Sequence, residues 1–243
     1  YYSLKLHLHR LLSDEPFFSA ISRRVNKQSS RAIPTAGVTV DKDTLQFKML
    51  YNPDFFEDME ARFVRINRSP IPTGIDKIDA KDILNGGLGQ GEIGVITAPT
   101  GVGKSHMLVN LGCAAIRNGF NVIHYTFELT ETATGLRYDS NLCQIPSNQV
   151  PERKEEVIEY YKENGENLGK LMIKEYPTGT ATVQTLRSHI EKLSLKGFIP
   201  QVLIIDYADI MRSSRQYDSM RHELKKVYED LRNLAMEKNL PIW

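Results

Sequence analysis

The sequence predicts an α/β fold: an open, mostly parallel sheet with helices on both faces, preceded by a small N-terminal module. Three observations carry this. Strand and helix patterns alternate from residue 71 to the C-terminus. The run Gln201-Val202-Leu203-Ile204-Ile205 is apolar on both faces, as a strand central to a parallel sheet must be. A glycine-rich turn joins a strand pattern to a helix pattern over residues 98–105.

The elements follow in order. Asn67-Arg68-Ser69-Pro70-Ile71-Pro72 cannot continue a helix and marks a boundary, dividing a module over 1–66 from a core over 67–243. Ile93–Thr97 reads as a short buried strand. Ser105 to Asn118 reads as a helix with Met107, Leu108, Leu111 and Ala115 on one face. Asn121–Phe127 is a second strand, Thr132–Cys143 a second helix, and Pro151–Asn164 a charged helix. Lys170–Lys174 is a third strand. Thr182–Leu195 is a helix whose Val183, Leu186, Ile190 and Leu193 share a face. After the 201–205 strand, Tyr217–Lys238 reads as a long helix with Met220, Leu224, Val227, Leu231 and Leu234 inward. Leu240–Trp243 begins a further strand.

Composition removes several classes. The 243 residues carry 31 Lys+Arg and 30 Asp+Glu, so binding nucleic acid by bulk charge is not expected, although a local basic channel is allowed. No apolar run reaches the roughly 18 residues of a membrane helix, and the first residues do not form a signal peptide. Cys113 and Cys143 are too few for a disulfide scaffold, which fits a reducing, cytoplasmic setting; both read as buried thiols. Residues 1–66 hold no metal-ligand cluster, since His7 and His9 alternate as on a strand with no acid or Cys at ligand spacing. His222-Glu223-Leu224-Lys225-Lys226 lacks the second His of a zinc peptidase.

Ala98-Pro99-Thr100-Gly101-Val102-Gly103-Lys104-Ser105 is the phosphate-loop pattern between strand and helix, with Ala98 where the first glycine usually stands. Gly101 and Gly103 let backbone N–H groups converge on phosphate oxygens, and the next helix presents its positive end to them. Thr100, Gly101, Val102, Gly103, Lys104, Ser105 and His106 are therefore the candidate nucleotide contacts. Lys104 would reach the outer phosphates and Ser105 would join a Mg²⁺ shell. Asp206, closing an aliphatic strand on the ligand edge of the sheet, is the second metal candidate. Glu128, just past the strand after the loop helix, could activate water for attack on ATP. It could equally sit in the first turn of the following helix and favour its dipole.

Beyond spacing, Ile71–Asp79, Gly86–Glu92, Phe127-Glu128-Leu129, Ile205–Met211 and Arg221–Lys238 together resemble the ATPase domain of DnaB-type replicative helicases, within the RecA-like P-loop superfamily and closest to its phage and bacterial members. The resemblance covers residues 70–243 but not 1–66. It implies that Glu128 is the catalytic base and that Asp206-Tyr207 ends the metal-binding strand. It also implies ATP and Mg²⁺ as cofactors, single-stranded DNA as substrate, a homohexamer, and primase or other replisome proteins as partners, in a bacterial or phage-infected cytoplasm. In that family a Gln, DNA-binding loops and an arginine finger follow the strand begun at Leu240, so the core is expected to be incomplete at Trp243. A RecA/RadA-type recombinase, a KaiC-like regulatory ATPase, or a non-hydrolysing nucleotide-binding adaptor remain alternatives.

Other residues read more plainly. His124 is expected to be a hydrogen-bonded core histidine. Arg137 could contact a neighbouring subunit, and a surface ion pair is the plainer expectation. Tyr160 and Tyr161 should pack. Arg212 and Arg215, in the Ser-rich loop after Asp206, are candidates for DNA or for a nucleotide across an interface.

Overall fold

The computed structural model describes residues 38–40, 47–49 and 69–243. The chain divides into two units, Tyr1–Asn67 and Arg68–Trp243. In the first, β1 (Val38–Val40) pairs antiparallel with β2 (Phe47–Met49), Val38 opposite Met49. His7 and His9 lie outside the described residues.

The second unit runs α1 (Asp76–Asp79), α2 (Lys104–Arg117), β3 (Val122–Thr126), α3 (Glu131–Cys143), α4 (Lys154–Asn164), β4 (Leu171–Glu175), α5 (Val183–Leu195), β5 (Val202–Asp206), a 3₁₀ turn (Ala208–Ile210) and α6 (Met220–Lys238). The sheet is parallel in the order β4-β3-β5, with Val122 beside both Leu171 and Val202. Ile242 bridges in parallel to Leu203 on one side and to Ile93 on the other. The C-terminal residues thus lie between β5 and the chain leading into the phosphate loop.

Alternation along the strands decides which helix each residue meets. Val122, Val202 and Ile204 pack with Leu108, Leu111 and Ile116 of α2 and Tyr138 and Leu142 of α3. Ile123, Tyr125, Leu203 and Ile205 pack on the opposite face with Leu186, Ile190 and Leu193 of α5 and Val227, Leu231 and Leu234 of α6. A fully buried aliphatic side chain of this kind contributes roughly 1.5–3 kcal/mol of transfer free energy. Asp206 shares the parity of Val202 and Ile204, so the register delivers it to the α2 face.

Local chemistry fixes the helix ends. Thr182 and Thr185 form a reciprocal capping box at the start of α5. Thr130 caps α3 by accepting from the Ala133 N–H at 3.1 Å. Asn239, at φ 51°, closes α6 in the left-handed conformation.

Four expectations need correction. Ile93–Thr97 is not a buried strand. Only Ile93 bridges, and Val95 is 58% exposed, because the neighbouring segment pairs its backbone with it at Ile242 alone among the described residues. The long helix starts at Met220, not Tyr217, and Met220 is 77% exposed; its inward face begins in earnest at Val227. The charged helix starts at Lys154, with Pro151–Arg153 in a turn. Cys143 is only partly buried, whereas Cys113 is fully buried, which pushes its thiol up to about 12 and leaves it inert as a nucleophile. Tyr160 and Tyr161 pack edge to face with ring centroids 5.6 Å apart, as expected.

Candidate active site

After Ile93 the chain runs to the phosphate loop at Ala98, which curls into α2. Gly101 (φ +80°) and Gly103 (φ +102°) occupy backbone conformations that other residues rarely adopt, and open space lies where each would carry a Cβ. This is a cradle that exposes backbone N–H groups to an anion. Thr100, Gly101 and Val102 are exposed on its rim, and Gly103 is the N-cap of α2. Lys104 Nζ donates to Ala98 O at 2.9 Å and to Pro99 O at 3.0 Å, tying the helix start back across the loop. His106 is exposed in the first turn of α2.

Asp206 is 3% exposed, and the Ser105 side chain lies close enough to act on its carboxyl. Burial raises its carboxyl above the ordinary range, and the Glu128 charge adds to that; Ser105, Arg137 and Lys104 act in the opposite sense. A buried carboxylate beside a hydroxyl at a helix N-terminus is a hard-oxygen pair suited to Mg²⁺, which keeps several waters and phosphate oxygens of its own. Among the described residues no cluster of three or more His, Cys, Asp or Glu offers a fuller protein cage. The loop and this pair fit a magnesium-bound nucleotide.

Glu128 stands beside them because β3 and β5 end at the same level. Thr126 pairs with Asp206, and Phe127 N donates to Asp206 O at 2.8 Å. Thr126 is fully buried; its hydroxyl bonds Leu129 O (2.9 Å) and Leu129 N (3.1 Å), pinning the turn that displays Glu128. Sequence spacing did not single Thr126 out, although a Thr closing a strand before a turn is the available signal. Since α3 begins at Glu131 behind its Thr130 cap, Glu128 lies outside the helix. The carboxylate at the helix start is instead Glu131, which is engaged by Lys174 Nζ (3.0 Å) and Glu175 N (3.1 Å).

Arg137 is not in a surface ion pair. It is half-buried, forms no salt bridge among the described residues, and its charge is felt by both Asp206 and His124. Arg212 and Arg215 are both exposed in the loop after the 3₁₀ turn. His124 is the core histidine anticipated. It is fully buried, with Nδ1 3.0 Å from Tyr138 Oη, and Tyr138 Oη in turn fits against Gly112 of α2, where a Cβ would come within 2.1 Å.

Burial, helped by the Arg137 charge, pushes the His124 ring down from 6.5 to about 3. The unfolded chain therefore takes up a proton that the folded chain refuses. The resulting stability is complete above pH 6.5 and is lost as pH falls toward 3. Between about pH 7.5 and about pH 5.5, His124→Asn should lose about 1.4 kcal/mol less stability than wild type in urea unfolding. Equal losses in the two proteins would refute the assignment.

The family described as the DnaB-like helicase C-terminal domain matches residues 70–243. The chain is 29% identical over 210 residues to a DnaB-like replicative helicase of Enterobacteria phage T4, covering 82% of this chain and 44% of the relative. It is 21% identical over 174 residues to the replicative DNA helicase DnaB of Helicobacter pylori, covering 71% and 35%. The chain thus spans less than half the length of these relatives. In fold it is similar to a DnaB-like replicative helicase studied for its interactions with primase (TM-score 0.64, 14% identity, covering 79% of this chain and 48% of that one). It is also similar to a second solved ATPase domain (TM-score 0.66, 15% identity, covering 79% and 70%).

Proposed function

The chain belongs to the DnaB-like helicase C-terminal domain family, and on that premise we propose that it hydrolyses ATP with Mg²⁺ to drive movement along single-stranded DNA during replication. Residues 67–243 are the ATPase core in this reading, and 1–66 a small module. The ring expected of it is a homohexamer, and a primase is the partner to test. The observation that carries the reading is the meeting of Ser105, Asp206 and Glu128 at the mouth of the phosphate loop.

Each residue has a distinct task. The N–H groups of Thr100–Lys104 and the Lys104 ammonium hold phosphate oxygens. Ser105 and Asp206 would hold the magnesium ion, which would supply charge neutralisation at the phosphates. Glu128 accepts a proton from, and orients, the attacking water. His106 at the helix start would border the nucleotide.

Turnover of ATP by the purified chain, measured with and without single-stranded DNA, tests this. Magnesium-dependent hydrolysis that DNA accelerates supports it. Nucleotide binding without hydrolysis under either condition would favour a nucleotide-binding adaptor instead.

A further inference from the structure

We propose that residues 176–181 form a strut joining the Glu128 turn to the loop after Asp206, with Thr178 as the positioning residue for Glu128. The inference rests on the reading of Glu128 as the base.

The strut begins where β4 ends. Tyr176 N donates to Thr126 O at 3.0 Å, and the Tyr176 ring stacks on Phe127 with centroids 6.0 Å apart. Two residues on, the Thr178 hydroxyl donates to Phe127 O at 3.1 Å. That carbonyl belongs to the peptide whose nitrogen is Glu128's own. Thr178 therefore fixes the plane on one side of Glu128, as Thr126 fixes Leu129 on the other. A base has to be held to within about half an ångström and 10–20° to act, so both flanks matter.

The far end grips the other turn. Gly179 N donates to Ile210 O at 2.9 Å, and Arg212 N donates to Ala181 O at 3.0 Å. Gly179 makes its bond at φ +70°, where a side chain would be strained. The 3₁₀ turn between Asp206 and Ile210 is itself anchored to α6 by Tyr228 Oη, which donates to Asp209 Oδ1 at 2.7 Å. The exposed loop carrying Arg212 and Arg215 thus leaves from a backbone that is bonded to the strut, and the strut is bonded to the Glu128 peptide. Sliding of that loop reaches the Glu128 peptide through the Gly179 and Thr178 hydrogen bonds, alongside the shared packing of Phe127, Tyr176, Ala181 and Ile210. A hydroxyl that merely satisfied the Phe127 carbonyl would carry no such linkage.

Thr178→Val keeps the shape and removes the donor; Thr178→Ser keeps the donor. Three quantities are read on the purified chain. They are affinity for a fluorescent ATP analogue, the single-turnover rate of ATP hydrolysis, and tryptic cleavage after Arg212 and Arg215 with and without a magnesium-bound non-hydrolysable analogue. The expected result for Thr178→Val is wild-type affinity, hydrolysis slowed roughly ten- to a hundredfold, and loss of the nucleotide-dependent change in cleavage. Thr178→Ser should behave as wild type in all three. Wild-type hydrolysis and cleavage response in Thr178→Val would overturn the strut, as would equal impairment of the Val and Ser variants. Glu128→Gln separates the two levels. If it loses hydrolysis while Thr178→Val does not, the strut fails and the site stands; if Glu128→Gln hydrolyses normally, the site reading itself fails.

Discussion

Glu128→Gln is expected to bind magnesium and ATP as wild type does and to slow hydrolysis by roughly 10²- to 10⁴-fold, the range a positioned general base supplies. The substitution is nearly isosteric, so the turn held by the two Thr126 bonds should survive it. What disappears is the ability to accept a proton. Two neighbouring acids could be suspected of the same task, and their surroundings argue otherwise. Asp206 is 3% exposed and lies against the start of α2 beside Ser105. Glu131 is held by Lys174 Nζ and Glu175 N at the end of β4. Glu131→Gln should therefore turn over ATP at close to the wild-type rate, although it loses a surface ion pair. Single-turnover hydrolysis of both variants, alongside equilibrium nucleotide binding, checks the assignment. Normal turnover in Glu128→Gln, or a collapse of turnover in Glu131→Gln, would move the base to another carboxylate.

Much of this site is legible in the sequence. Glycine turn, Lys-Ser and helix in sequence order specify the loop, because their function depends on local backbone geometry. The aliphatic run before Asp206 specifies a central strand for the same kind of reason. The parts that were not legible depend on partners. Ile93–Thr97 has the composition of a strand, yet a strand exists only as a ladder, and among the described residues its neighbour bridges to it at Ile242 alone. Val202–Ile205 is apolar on both faces, so nothing in its pattern says which face Asp206 takes; the packing of Val202 and Ile204 on α2 decides that, since Asp206 shares their parity. Arg137 reads as a surface residue until Thr134 and Tyr138 are seen buried on either side of it, turning that edge of α3 toward Asp206 and His124. Met220 fits the helical spacing of the α6 core face, but the helix overhangs its support by two turns before Val227 is covered. Periodicity names a face; it does not say how far the neighbouring surface extends beneath it.

Lys104→Ala is expected to abolish measurable nucleotide binding, a larger effect than loss of one charge would give. A hydrogen bond to a charged group contributes about 1.5–3 kcal/mol, which is roughly ten- to a hundredfold in affinity. Lys104 has a second role, since its ammonium bonds Ala98 O and Pro99 O and so draws the loop closed over the start of α2. Alanine removes the phosphate's cation and unties the cradle together. Lys104→Gln divides these contributions: its amide can still donate to a loop carbonyl but carries no charge. If loop closure matters as the two bonds indicate, Gln should bind nucleotide measurably more tightly than Ala while remaining well below wild type. Equal loss in both variants would assign the effect to charge alone. Wild-type affinity in the Ala variant would remove Lys104 from the site. Titration with a fluorescent ATP analogue distinguishes the three results, and because it needs no turnover its answer is independent of Glu128.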